Sequence, residues 1–451
     1  MESLSLVTIY IVNHNYGRFL KESIQSVLNQ TYPRIEILLI DDGSKDKESL
    51  ELLKIYEDDS RFFLIRQENH GLTYSNNVAL KNATGKYIMR LDADDYLHKN
   101  CVEELVKVLD KNSELALVFP DYYEVSESGE ILSQICRHDF INDVELLDSP
   151  AHGACTLFRR DLLLQVGGYD EDIKLQDGWD IWLKMVSKYN VSNVRKPLFY
   201  YRQHSKSLTK DEIFMLETRA KILKKHMELS LYKRTKTIAV LPVRGKGYDA
   251  INFALWKLGD KELICWTIDA ALDSELVDEL IITSIDESLI NFLKSKYINP
   301  KINFILRDSN KFNKSESTSD LVFNIAKDKE DVELIVLLNQ ESPFRGHLYI
   351  DKAINTCQVF NLDNVIAARQ DDEIFFVHDG KGLINRRPDV KKKLERDDLY
   401  RKVGGLTVIR RTSLLSSGEI LSGRVGHVIL DQKSAISIRT KFDWQMANLL
   451  V

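Results

Sequence analysis

The feature that most constrains the fold is an alternation running from Leu6 to Asp95. Apolar, β-branched runs that read as buried strands ("LVTIYIV", "RIEILLIDDGS", "FFLIRQEN", "GKYIMRLDADD") alternate with helically spaced segments. In "FLKESIQSVLNQ", for example, the helical spacing runs through Leu20, Ile24, Val27 and Leu28. This order predicts a doubly wound, mostly parallel α/β sheet. In such sheets ligands sit beyond the carboxyl ends of the strands, where Asp41, Asp42, Asp92 and Asp94 all fall. The stretch "MRLDADDYLHKN" packs Asp92, Asp94 and Asp95 into four positions. Burying an unpaired carboxylate is costly, so a positive partner is expected. Mg2+ or Mn2+ is the simplest, since hard cations take carboxylate oxygens and are completed by water and substrate phosphates. The rival reading is an acidic turn capping the next helix.

The chain has 451 residues, which predicts two or three domains. The alternation restarts near Thr237 with "TIAVLPVRG", "ELICWTIDAAL", "VDELIITSID", "ESLINFLKSKY" and the long run "DVELIVLLNQESPFR". The expected architecture is therefore two doubly wound, mostly parallel α/β domains, over 1–209 and 237–451. A charged connecting helix is expected over 210–236, whose cations (Lys221, Lys224, Lys225, Lys233, Arg234, Lys236) suit either solvent or an anionic lipid surface. A net charge of -6 argues against a nucleic-acid binder. Five scattered cysteines without CxxC spacing predict neither a zinc site nor a disulfide framework, and fit a reducing compartment. With no signal-peptide pattern and no run of the ~18–20 apolar residues that span a bilayer, a cytoplasmic protein is expected, in peripheral contact with the membrane at most.

The first 210 residues resemble the family 2 glycosyltransferases, which carry the GT-A fold. The resemblance rests on "VTIYIVNHNYGRFLKESIQSVLNQTY", "EILLIDDGSKD", "ENHGLTYSNNVALKNATGKYIMRLDADDYL", "GACTLFRRDLLLQVGGYDE" and "QDGWDIWLK". It implies that Asp41 and Asp42 contact the nucleotide, with the backbone near Val12, Asn13 and Asn15 lining the base pocket. It implies that Asp92 and Asp94 hold the donor sugar and the metal, and that Asp95 supports them. Asp177 matches the general base; Gln176 stands where an acid is usual, and Asp180 reads as a cap or structural partner. Trp179 can stack on a sugar, whereas Trp182 suits the core. "YYRQHSKSLT" resembles the segment that closes over the diphosphate, giving Arg202 and His204 roles at the donor and His204 a second role as metal ligand, with Ser205 and Ser207 nearby. His14 and His70 have weaker claims. The family often has Ala-Arg-Asn where this chain has Tyr74, Ser75 and Asn76, so one phosphate contact is missing.

Residues 237–451 resemble the acylneuraminate cytidylyltransferases through "IAVLPVRGKG", "ELICWTIDAALDSELVDELIITSIDE", "IVLLNQESPFR", "DDLYRKVGGLTVIRRTSLL" and the tail "GRVGHVILDQKSAISIRTKFDWQMANLLV". The Gly-rich loop keeps Arg244, Gly245, Lys246 and Asn252 but is short, with Ile251 where Lys is usual. The family's Ser-Ile-Asp-Ile-Asp-Thr, whose acids bind metal, aligns with Ala435, Ile436, Ser437, Ile438, Arg439 and Thr440. Both carboxylates are gone, which implies a domain without activity, for assembly or acceptor positioning, and a homo-oligomer formed through it.

Together these readings predict a metal-dependent, inverting glycosyltransferase. It would take a nucleotide-sugar, UDP-linked, to a glycan or a protein such as flagellin. Two alternatives stay open: a bifunctional enzyme that also activates a nonulosonic acid with CTP, and a nonenzymatic sugar-nucleotide-binding scaffold.

Overall fold

The computed structural model describes residues 4–204, 211–229, 234–243, 253–307, 317–371, 376–378, 383–385 and 399–451. The chain divides into two compact units, with the change falling between Asp211 and Glu212.

The first unit runs β1 (Val7–Asn13), α1 (Gly17–Leu28), β2 (Ile35–Asp42), α2 (Lys47–Glu57), β3 (Phe62–Gln67), α3 (Leu72–Asn82) and β4 (Tyr87–Asp92). It continues through β5 (Tyr96–Leu97), α4 (Cys101–Lys111), β6 (Leu115–Val125), β7 (Ile131–Ile135), β8 (Leu157–Arg159), α5 (Arg160–Gln165), α6 (Asp177–Val186) and β9 (Asn190–Arg202). The strands form one sheet in the order β3-β2-β1-β4-β8-β6-β9-β5, with β7 on β6. β3, β2, β1 and β4 are parallel. Beyond β4 the sheet is mixed, because β8 enters antiparallel between β4 and β6.

The apolar stripe on α1 explains its seat. Leu20, Ile24 and Val27 are buried at i, i+4 and i+7 against Val7, Ile9 and Ile11 of β1. Each such side chain contributes about 1.5–3 kcal/mol on burial.

Two pairings position the site. Parallel register sets Asn13 beside Asp41 and Val12 beside Asp92, so three strand ends share one row. β5 pairs antiparallel with Phe199 and Tyr200 of β9, which brings the end of β9 back to the Asp94–Asp95 turn.

The second unit contains α7 (Glu212–Leu229), β10 (Thr237–Val243), β11 (Lys257–Leu258), β12 (Lys261–Glu262), α8 (Leu263–Asp273), β13 (Glu279–Ser284), α9 (Glu287–Lys296), β14 (Ile302–Leu306), α10 (Thr318–Asp328) and β15 (Leu334–Leu338). After these come α11 (His347–Val359), β16 (Asn364–Asp371), β17 (Phe376–His378), β18 (Leu383–Asn385), β19 (Leu399–Arg410), α12 (Arg411–Ser417), β20 (Val425–Ile429) and α13 (Lys441–Ala447). Its main sheet has the order β14-β13-β10-β15-β19-β16-β20, parallel except where β19 meets β15 and β16.

Two expectations change here. The long strand expected over "DVELIVLLNQESPFR" is β15 alone; it stops at Leu338 and the chain turns through Asn339–Pro343 before α11. The charged run expected as a connecting helix is a packed element of the second unit: α7 buries Leu216, Ala220, Ile222 and Leu223 and packs on α11. Lys224 pairs with Glu275 at 2.6 Å and, just beyond the helix, Arg234 pairs with Asp278 at 2.9 Å and Lys236 with Asp331. Lys233 lies outside the described residues, as do Ser205, Ser207, Arg244, Gly245, Lys246, Ile251 and Asn252. Among the described residues no helix is long and apolar enough to cross a membrane.

Candidate functional site

The strand-end row is built from short-range hydrogen bonds. Asn13 is fully buried, and its Nδ2 donates to Ser44 Oγ and Ser49 Oγ, each at 3.0 Å. Asn15 adopts φ +63°, a left-handed conformation that Asn tolerates better than most residues. Its Oδ1 accepts from the amides of Lys45 (2.7 Å) and Asp46 (3.1 Å). The backbone from Val12 to Asn15 is thereby pinned to the turn after β2.

Asp42 accepts from Gln67 Nε2 (2.8 Å), His70 N (3.0 Å) and Gly71 N (2.9 Å), and so anchors the loop before α3. Ser75 ties the same loop, receiving Gln67 Nε2 at 2.9 Å. Among the described residues Asp41 accepts one long bond, from Ser44 N at 3.4 Å. Asp41 therefore keeps more acceptor capacity than Asp42. The side chains of Asn13 and Asp42 tie the loops at the strand ends together.

The centre of the site is a buried guanidinium. Arg90 on β4 pairs through Nη1 with Asp177 Oδ2, while its Nε lies 3.0 Å from Asp92 Oδ1. Asn76 on α3 donates to the same Asp177 Oδ2 at 3.1 Å, and Asp177 Oδ1 has no partner among the described residues. Desolvation first, then Asp177 and Asp92, act on Arg90, and the charge partners win, so its pKa lies well above the usual value. Desolvation pushes the Asp92 carboxyl up to about 6; Arg90 opposes this, while the negative Asp94 and Asp177 add to it. The same guanidinium needs room: a Cβ at Gly153 would lie 2.8 Å from Arg90 Nη2, and one at Gly178 would lie 3.0 Å from the Gly153 Cα. Asp177 opens α6 directly after Gln176, whose φ is +62°.

Next to this triad, Asp94 Oδ2 lies 2.8 Å from His204 Nε2, with the imidazole stacked on Phe19. Asp95 is buried and accepts from the amide of Arg202 at 2.8 Å; desolvation and the neighbouring Asp94 and Asp92 raise its pKa well above the carboxylate range. Arg202 was expected at the donor. Its side chain is 3% exposed, and it donates to the carbonyls of Asp94 and Glu127 at 2.8 Å and to Glu22 at 2.5 Å. It also lies over the rings of Phe19 and Tyr96. It holds the Asp94–Asp95 turn in place.

Among the described residues no three His, Cys, Asp or Glu side chains gather as a ligand set. Asp94 and His204 bring two donor atoms within 2.8 Å of one another. That pair fits a hard cation whose remaining ligands are water and phosphate oxygens.

The other aromatic and acidic candidates of this segment are buried. Trp182 is buried, donates Nε1 to Leu147 O at 2.7 Å and packs edge-on to Phe119 and Phe140. Asp180 pairs with Lys184 one turn on, at 2.6 Å. Trp179 is buried on α6. His14 Nδ1 lies 2.7 Å from Asp42 O, and His70 packs against Tyr74.

Arg90 and Asn76 are the site residues that the sequence alone does not single out. Asn76 sits in the segment where the family's Arg is missing, which was a signal; Arg90 carried none.

The pattern of Glycosyl transferase family 2 matches residues 8–167, and that of Cytidylyltransferase matches residues 238–390. An uncharacterized glycosyltransferase of Rickettsia typhi is 30% identical over 220 residues, covering 47% of this chain and 68% of that protein. One from Rickettsia bellii is 30% identical over 215 residues, and the chondroitin synthase of Escherichia coli is 27% identical over 185. These last two matches cover 46% and 41% of this chain, but only 31% and 27% of the relatives. The first relatives matched are thus spanned over about a third of their own length. Among solved structures, S. aureus TarS in complex with UDP-GlcNAc has a TM-score of 0.42 at 19% identity, covering 50% of this chain and 68% of that one. On the two family patterns and the Rickettsia typhi relative, the chain belongs to the family 2 glycosyltransferases and carries a cytidylyltransferase-type domain after the transferase unit in sequence.

Proposed function

We propose that the first unit transfers a hexose from a nucleotide-sugar, UDP-linked, to a hydroxyl of a glycan or protein, with inversion at the anomeric carbon. The carrying observation is the Arg90 bridge, which ties Asp92, on the donor-sugar side, to Asp177, the base candidate. Both hydrogen bonds received by Asp177 converge on Oδ2. That leaves Oδ1 to take the acceptor's proton as its oxygen attacks the anomeric carbon and the bond to the nucleoside diphosphate breaks. Arg90 and Asn76 hold the carboxylate in one orientation for that transfer.

Asp41 accepts hydrogen bonds from the base or ribose, and the backbone from Val12 to Asn15 forms the wall beside it. Mn2+ or Mg2+ would be held by Asp94 and His204, and would neutralise the diphosphate leaving group. The second unit is read as noncatalytic.

A thermal-shift screen of nucleotide-sugars with and without Mn2+ tests the donor reading. A donor at one hundred times its Kd should stabilise the protein by about 2.7 kcal/mol. Slow donor hydrolysis, lost in Asp177→Asn, tests the base. If no UDP-sugar shifts the transition and no sugar is released, the reading fails.

A further inference from the structure

The second unit has a cavity of about 710 Å3 where the turn after β15 faces β19 and the tail segment before α13. Its lining includes Gln340, Glu341, Ser342, Lys402, Ser437 and Arg439. The tail positions Ser437 and Arg439 are those where related cytidylyltransferases carry metal-binding acids. A cation does not fit there. The Ser342 and Ser437 hydroxyls lie 3.1 Å apart, Arg439 adds a positive charge, and Glu341 is the one carboxylate among the described lining residues.

Two independent observations show what does fit. The first is Arg345, fully buried behind the cavity wall. Its Nη1 donates to the carbonyls of Gly404 (3.0 Å) and Gly405 (2.8 Å), and Gly405 lines the cavity. Among the described residues its Nε and Nη2 have no hydrogen-bond partner and no carboxylate pairs with it. Burial alone lowers its pKa to about 10. A buried guanidinium without a counter-charge is costly, and an anion in the adjoining cavity offsets that cost. The second is Gln340, 6% exposed, whose Oε1 is buried in the lining without a donor. It asks for a ligand N–H or O–H. Among the described lining residues the Lys402 ammonium, its pKa lowered by desolvation, stands with Arg439 against Glu341, with Arg345 behind the wall.

We propose that this cavity is a metal-independent site for an oxyanion, phosphate or carboxylate, carried on a ligand with hydrogen-bond donors, and that Arg439 stands where the metal would otherwise be. The inference concerns the second unit alone and does not need the transferase reading to hold.

Calorimetric titration of the full chain tests it, with CMP, inorganic pyrophosphate and N-acetylneuraminate as probes, each in EDTA and in Mg2+. CMP and pyrophosphate report a phosphate site and N-acetylneuraminate a carboxylate site. At least one probe should bind in EDTA within about twofold of its affinity in Mg2+. Arg439→Ala and Lys402→Gln, at the cavity rim, should each weaken it about tenfold or more, and Gln340→Leu should weaken donor-bearing CMP more than pyrophosphate. Arg439→Asp should make binding require Mg2+.

Three outcomes would overturn the inference. They are binding only with Mg2+ in the unaltered protein, no binding of any probe at millimolar concentration, and affinity unchanged in both rim variants. Displacement of the bound probe by UDP, or its loss in Asp94→Asn, would place the ligand in the first unit and overturn it as well.

Discussion

Replacing Arg90 by Met removes the guanidinium while keeping a side chain of similar length. Asp92 and Asp177 are then left near one another without their shared counter-charge. Truncating one partner of a buried ion pair costs about 3–5 kcal/mol. The side chains of Arg90 and Asp177 are 6% and 11% exposed, so their share of that cost applies almost in full. Asp92 keeps 26% exposure, and solvent screens its share. We therefore expect Arg90→Met to destabilise the first unit by about 3 kcal/mol at pH 7.

The penalty belongs to ionised carboxylates. It should shrink as the pH falls toward about 6, where desolvation lets the Asp92 carboxyl take up a proton. Asp177→Asn in the Arg90→Met background should recover part of the loss. The double-mutant coupling should then exceed about 1 kcal/mol, beyond the ~0.5 kcal/mol scatter of independent sites. Urea unfolding followed by near-UV circular dichroism reads these values, and donor hydrolysis reads activity on the same samples. A loss under about 1 kcal/mol at pH 7, or additive single variants, would show that the guanidinium does not hold the two acids together.

His152 gives a pH test in the same region. Desolvation first, and then the Arg90 charge, lower its imidazole to about 4, against about 6.5 unfolded. On acidification the unfolded chain binds this proton first, so stability should fall between about pH 6.5 and 4, by at most about 1.4 kcal/mol per pH unit. His152→Phe should flatten that slope in a pH series of urea midpoints; an unchanged slope refutes the assignment. His204→Ala should raise the Mn2+ concentration needed for half-maximal donor hydrolysis by about tenfold, and a metal titration with no shift removes His204 from the cation site. Trp182→Ala should cost about 3–5 kcal/mol, as large-to-small changes in a packed core do. A loss below 1 kcal/mol in the same unfolding assay would show that its edge-on packing contributes little.

How much of this was legible depends on sequence separation. The strands β1 to β4 and their helices announced themselves through local periodicity, and with them the row holding Asp41 and Asp92. β8, three residues long and antiparallel, is too short to show any period, so the mixed half of the sheet stayed hidden. α7 read as a solvated connector because its charges dominate. Its apolar residues Leu216, Ala220 and Leu223 nonetheless fall at i, i+4 and i+7, which is the spacing of a buried stripe. Arg202 was read as a donor contact because it sits in a recognisable segment. Its real partners, Glu22 and the Asp94 carbonyl, lie more than a hundred positions away in the chain. Arg90 was missed for the same reason: its partner Asp177 is 87 residues distant.

The back-to-back glycines at 153 and 178 carry a consequence for how this enzyme can drift. Neither position has slack, since a methyl group on one presses into the other's backbone or into the guanidinium beside it. A saturation library should find both intolerant even of alanine, though each lies outside the strand-end acids. Natural variation in the loop around His152 is therefore policed by the Arg90 guanidinium packed against it.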